Sequence, residues 1–149
     1  MTDTVDLQIM KAIYALLKAD PVMTDVVFHD RPFSLEQDKL PSIDVDILDA
    51  QPEQLSKSVH AYEVAVAVTV QAADDLALDK SSAEIADPLV ASIHALLMQD
   101  RTLGGLCAQI NPAGRRQRRA DMDGSLRAVE SLWSIKYACE ANDIRKTAR

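Results

Sequence analysis

A chain of 149 residues has the size of one domain and can bury a real core. Hydrophobic residues make up 48 % and charged residues 26 %, ordinary for a globular protein, while only 4 % are aromatic, so aliphatic side chains must fill the core. A formal charge of -7 argues against nucleic-acid binding by the whole surface, and no apolar run approaches the ~20 residues that span a bilayer.

The chain opens Met1-Thr2-Asp3, without the basic and apolar runs of a secretory signal, so the protein is expected to work where it is made. Thr4–Ala19 reads as a helix. Val5, Ile9, Ala12, Ile13, Leu16 and Leu17 form one stripe, Asp3 or Thr4 caps the first turn, and Asp20-Pro21 ends it. A short strand, Val26-Val27-Phe28, leads to Arg31-Pro32 and a polar loop. After Pro41, Ile43, Val45 and Ile47 alternate with Asp44 and Asp46 over Ser42–Leu48, the period of a half-buried strand. Gln51-Pro52-Glu53 reads as a connector.

Ser58–Ala72 is the longest predicted strand. Val64, Val66, Val68 and Val70 share one face, and the small residues Ala65, Ala67 and Thr69 share the other. That second face is expected to meet a neighbour or another layer. Asp74–Gln99 is the second helical region. Ser81 and Glu84 match a capping box, and Pro88 marks either a kink or the true first turn. Gly104-Gly105 stops it. Leu106–Asp121 reads as a strand broken at Asn111-Pro112 and Gly114, and Asp123-Gly124 as a turn. In Arg127–Glu140, Val129, Ser131, Trp133, Ile135, Tyr137 and Cys139 share a face. A single domain is expected over residues 1–141, with 142–149 a polar, flexible tail. The order predicts an α+β two-layer sandwich: two helices on a mainly antiparallel sheet of four to five strands.

Catalytic motifs are hard to find. There is no GxGxxG, no P-loop and no GxSxG elbow. His29, His60 and His94 are scattered, and Cys107 and Cys139 lack zinc spacing, so metal and cofactor are both expected to be absent. Asp44 and Asp46 share a strand face. Held close, two carboxylates do acid–base work or bind a divalent ion, but a wet sheet face accounts for them equally simply. With His60 they are the only candidates for a polar site. Arg115, Arg116, Arg118 and Arg119 put four cations in five residues on an acidic chain. They suit DNA phosphates, carboxylates of an adjacent subunit, or a solvated loop. In an extended segment Arg116 and Arg118 point one way and Arg115 and Arg119 the other, so pairing or solvation ranks above a DNA-binding row.

The ordered set of weak features resembles the tail terminator proteins of long-tailed bacteriophages, the minor tail protein U type. The features are the helix leading to Asp30-Arg31-Pro32, the Leu40-Pro41 start of an alternating strand, the Val64–Val70 strand, the segment Asp74–Asp79 (DDLALD), the segment Asp100–Leu106 (DRTLGGL), and the aromatic-rich end Trp133–Tyr137. The resemblance spans roughly residues 7–140. The Arg cluster, the basic end after Asn142 and Pro88 lie outside its pattern.

The resemblance implies a virion protein, assembled in the host cytoplasm, with no catalytic site. Six copies form a homohexameric ring on the head-proximal end of the tail tube. The ring stops addition of tube protein and offers a surface to the neck or head-completion protein. Genomic DNA passes through it without specific binding, and no membrane is involved. Arg31, Arg115, Arg116, Arg118, Arg119, Asp44 and Asp46 are the candidates for inter-subunit or partner contacts. The alternatives are another head–tail connector, such as a head-completion or stopper protein, a small ligand-binding or enzymatic domain, and a DNA-binding module on the Arg cluster.

Overall fold

The computed structural model describes residues 3–29, 40–119 and 126–148, the side chains of residues 28, 29, 118 and 119 excepted. The chain runs α1 (Val5–Lys18), β1 (Val27–His29), β2 (Ser42–Leu55), β3 (Val59–Ala73), α2 (Ser82–Gln99), β4 (Gln109–Arg119), β5 (Leu126–Glu140) and β6 (Asp143–Thr147). The strands lie in the order β1-β2-β3-β5-β4, and β6 adds to β5. Among the described strands only β1 and β2 pair in parallel; the other pairings are antiparallel. This is the expected α+β class, with two helices on a mainly antiparallel sheet.

One layer of side chains makes the core. Val64, Val66, Val68 and Val70 of β3 meet Trp133, Ile135 and Tyr137 of β5 on one sheet face. Ile9, Ile13 and Leu17 of α1 and Ala86, Val90, Ile93 and Leu97 of α2 close over that face. The Thr4 hydroxyl caps α1 by accepting from the Leu7 amide. The Ser81–Glu84 capping box is formed at α2.

Three sequence expectations change. First, β2 continues through Gln51-Pro52-Glu53 to Leu55. β1 covers only Ile43 to Val45 of β2, so beyond that point β2 has no partner on that side among the described residues, and proline there costs no described ladder bond. A register shift between Pro52 and Gln54 absorbs it. Second, Asp143–Thr147, placed in the tail, is strand β6. β4 pairs with β5 only as far as Lys136, and β6 takes up the flank of β5 at Cys139 and Glu140. Gln8 of α1 also donates to the Arg145 carbonyl at 3.0 Å. Third, the helix begins at Ser82, so Pro88 lies inside it and not in its first turn. Asp74–Lys80 is instead a turn closed by an Asp75–Lys80 bridge.

Candidate functional site

The three residues considered for a polar site do not converge. Asp44 and Asp46 stand opposite Thr69 and Ala67, on the sheet face away from the helices. His60 lies nine residues from Thr69 along β3, roughly 30 Å at strand rise, and on the opposite face. Its ring meets the edge of Tyr62. Among the described residues no group of three or more His, Cys, Asp or Glu is placed to hold a metal.

The segment DRTLGGL is a positioning device. The Asp100 carboxylate accepts from the amides of Thr102 and Gly104, at 3.3 and 2.9 Å. Gly104 and Gly105 take φ of +70° and +93°, conformations that side chains resist. The Cys107 amide then returns to the Thr102 carbonyl, and the Ile110 amide to that of Arg101. The Arg101 guanidinium donates to Asn111 Oδ1. Together these set where β4 begins.

β4 carries the arginines along the outer edge of the sheet. Pro112 is tolerated there, and a bulge between Pro112 and Gly114 shifts the alternation by one residue. Ile110 and Pro112 face the helices before the bulge, and Arg115 and Gln117 face them after it. Arg116 faces away and pairs with Glu130 at 2.7 Å. Arg118 and Arg119 stand in register with Ala128 and Arg127. The cluster is therefore split between two faces, as strand alternation requires. Arg31 lies outside the described residues.

Sequence reasoning did not find the groove between α2 and β4. Val90, His94, Pro112, Arg115, Leu132 and Trp133 are among the residues lining a cavity of about 270 Å³. A smaller hollow of about 90 Å³ adjoins it, sharing Val90 and Arg115 and adding Asp87, Gln117 and Arg127. The His94 ring leans on Trp133 with centroids 5.6 Å apart. The buried Trp133 Nε1–H and Arg127 Nε–H have no acceptor among the described residues. Arg127 Nη1 does donate to Gln117 Oε1 at 3.0 Å. The only sequence signal for this groove was Trp133 on the same strand face as the core residues.

A second missed feature is the β3–α2 turn. Leu76 is 93 % exposed and Leu78 64 %, between Asp75 and Asp79. Two of the turn's carboxylates are used locally. Asp74 accepts from the Ser82 amide at 2.6 Å, and Asp75 from those of Ala77 and Leu78. The DDLALD pattern contains the signal, since two leucines sit where no amphipathic period calls for them.

The small-residue face of β3 is not covered by either helix. Ala65, Ala67 and Thr69 lie beside Ser134, Leu132 and Glu130 of β5 on that outer face.

No protein-family model and no curated protein matches the sequence. In fold, the chain is similar to a chain from the virion of a native gene transfer agent particle. The TM-score is 0.51 at 12 % identity, covering 85 % of this chain and 92 % of that one. Coverage on that scale makes the likeness one of whole architecture.

Proposed function

We propose that this chain is a structural protein of a phage-like virion, and within it the tail terminator. In this reading its copies form a six-membered ring on the head-proximal end of the tail tube, halt tube growth and receive the neck. The observation that carries the reading is the shared fold: a chain from a gene transfer agent virion has the same architecture over 92 % of its own length. The order of sequence features that resembles the tail terminator proteins narrows the role within the virion. A ring subunit works through repeated complementary surfaces that close by rotation. The sheet face away from the helices, the arginine-bearing edge β4 and the exposed β3–α2 turn are surfaces of that kind.

Tube protein of the same particle, polymerising with and without this purified chain, tests the role. A terminator binds tube ends and shortens the length distribution at substoichiometric amounts. Unchanged tube lengths together with binding to the isolated head would move the chain to the head-completion class.

A further inference from the structure

We infer that the β3–α2 turn of one copy seats in the α2–β4 groove of the next, forming the ring's repeating contact. This deepens the ring reading above and rests on it. The two surfaces complement each other in chemistry. The groove offers the exposed Arg115 guanidinium, with His94, Val90 and Pro112 among its walls and Trp133 at its floor. Among the described residues the single groove carboxylate, Asp87, lies in the smaller hollow, against the cations Arg115 and Arg127.

The turn offers the counterparts. Leu76 and Leu78 project two aliphatic side chains into solvent, and Asp79 adds a carboxylate with no partner among the described residues. The Asp75–Lys80 bridge holds the turn in shape before any contact is made, which lowers the entropy cost of docking. The cavity of about 270 Å³ has room for inserted side chains.

Placement makes the contact intermolecular. Glu84, Ile85 and Pro88 of α2 border the hollow beside the turn, whereas Ala86, Val90 and His94 border the groove. Those two sets lie on opposite flanks of one helix, so the turn cannot reach its own groove. Two different patches that bind each other generate a head-to-tail series, which closes when the rotation per copy allows.

The test is cross-linking of full-length chains with a short bismaleimide. The native thiols are buried and do not compete. Ala77 and Ala113 are both exposed and supply none of the proposed contacts, so A77C and A113C leave the fold and the contact intact. An equimolar mixture of the two single variants is expected to yield covalent dimer about tenfold faster than A113C mixed with L55C, whose cysteine replaces an exposed leucine elsewhere. The double variant A77C/A113C yields a ladder that stops at one closed species. Equal rates for the two mixtures, or capture of A113C by a different virion protein in assembled particles, would overturn the contact. A preferred cross-link in a chain whose loss leaves tail length normal keeps the contact and removes the terminator role. Overgrown tails without a preferred cross-link do the reverse.

Discussion

Arg116 Nη2 lies 2.7 Å from Glu130 Oε1, and the two residues are direct partners across the β4–β5 ladder. The cluster that looks like one basic patch in the sequence is thus divided: Arg116 is matched on the outer face, while Arg115 lines the groove. The Arg116 side chain is 71 % exposed, so the pair is worth only about 0.2–1 kcal/mol. Arg116→Ala should lower the melting temperature by no more than roughly 4 °C, and 0.5 M salt should erase most of that difference. Arg115→Ala should leave melting unchanged. A large loss of stability in Arg115→Ala would place that side chain in the fold instead of the groove.

β6 should behave as part of the domain. Removing residues 142–149 deletes the Gln8–Arg145 bond and the Ala148 amide bond to the Ala138 carbonyl, at 3.0 and 2.9 Å. At about 0.5–1.5 kcal/mol each, their loss should lower the melting temperature by several degrees. It should also speed labelling of Cys139, which pairs with Thr147. Identical melting and labelling in the truncated chain would show that β6 does not dock.

The two thiols report burial directly. Desolvation, with a smaller contribution from the Asp100 charge, pushes Cys107 up to about 11, and burial raises Cys139 as well. Both should resist maleimide at pH 8 in the native chain and react at once in denaturant. The linkage has a definite sign. Below the unfolded value near 9 both states hold the proton and pH has no effect through this group. Above it the unfolded thiol ionises first, so stability falls as pH rises toward 11. Cys107→Ala should therefore be less stable than the parent at pH 7 and close part of that gap at pH 10.5. A constant gap would contradict the buried thiol.

Glu63 titrates low, chiefly because the Ser134 hydroxyl donates to it at 2.6 Å, with a Glu53 contact and the Lys136 charge also favouring the anion and desolvation opposing them. A depressed carboxyl stabilises the fold above its unfolded value and loses that contribution as pH falls through the folded one. Ser134→Ala should move the Glu63 carboxyl-carbon titration upward in an NMR experiment. No movement would mean that the hydroxyl bond is not formed.

The sequence carried the core more plainly than the surfaces. Val64 to Val70 and Trp133 to Cys139 alternate with period two, and Ile9, Ile13 and Leu17 repeat with helical period, because one-sided burial writes itself into spacing. β6 was illegible because Asp143–Thr147 is polar apart from the exposed Ile144 and pairs through backbone, which leaves no alternating hydropathy trace. The extension of β2 was hidden by Pro52, whose turn signal is overruled where β2 has no described partner on that side. The groove was hidden for a third reason. It joins Val90 and His94 to Pro112, Arg115 and Trp133 across three elements, and no local pattern encodes such an encounter. The division of the arginines, by contrast, followed from simple alternation once the bulge at Gly114 was placed.

Electron microscopy of particles made without this gene tests the central claim most directly. A tail terminator's absence leaves tube growth unchecked, so abnormally long tubes lacking heads are the expected result. Tails of normal length that fail to join heads would contradict the terminator role and assign the chain to the connector class.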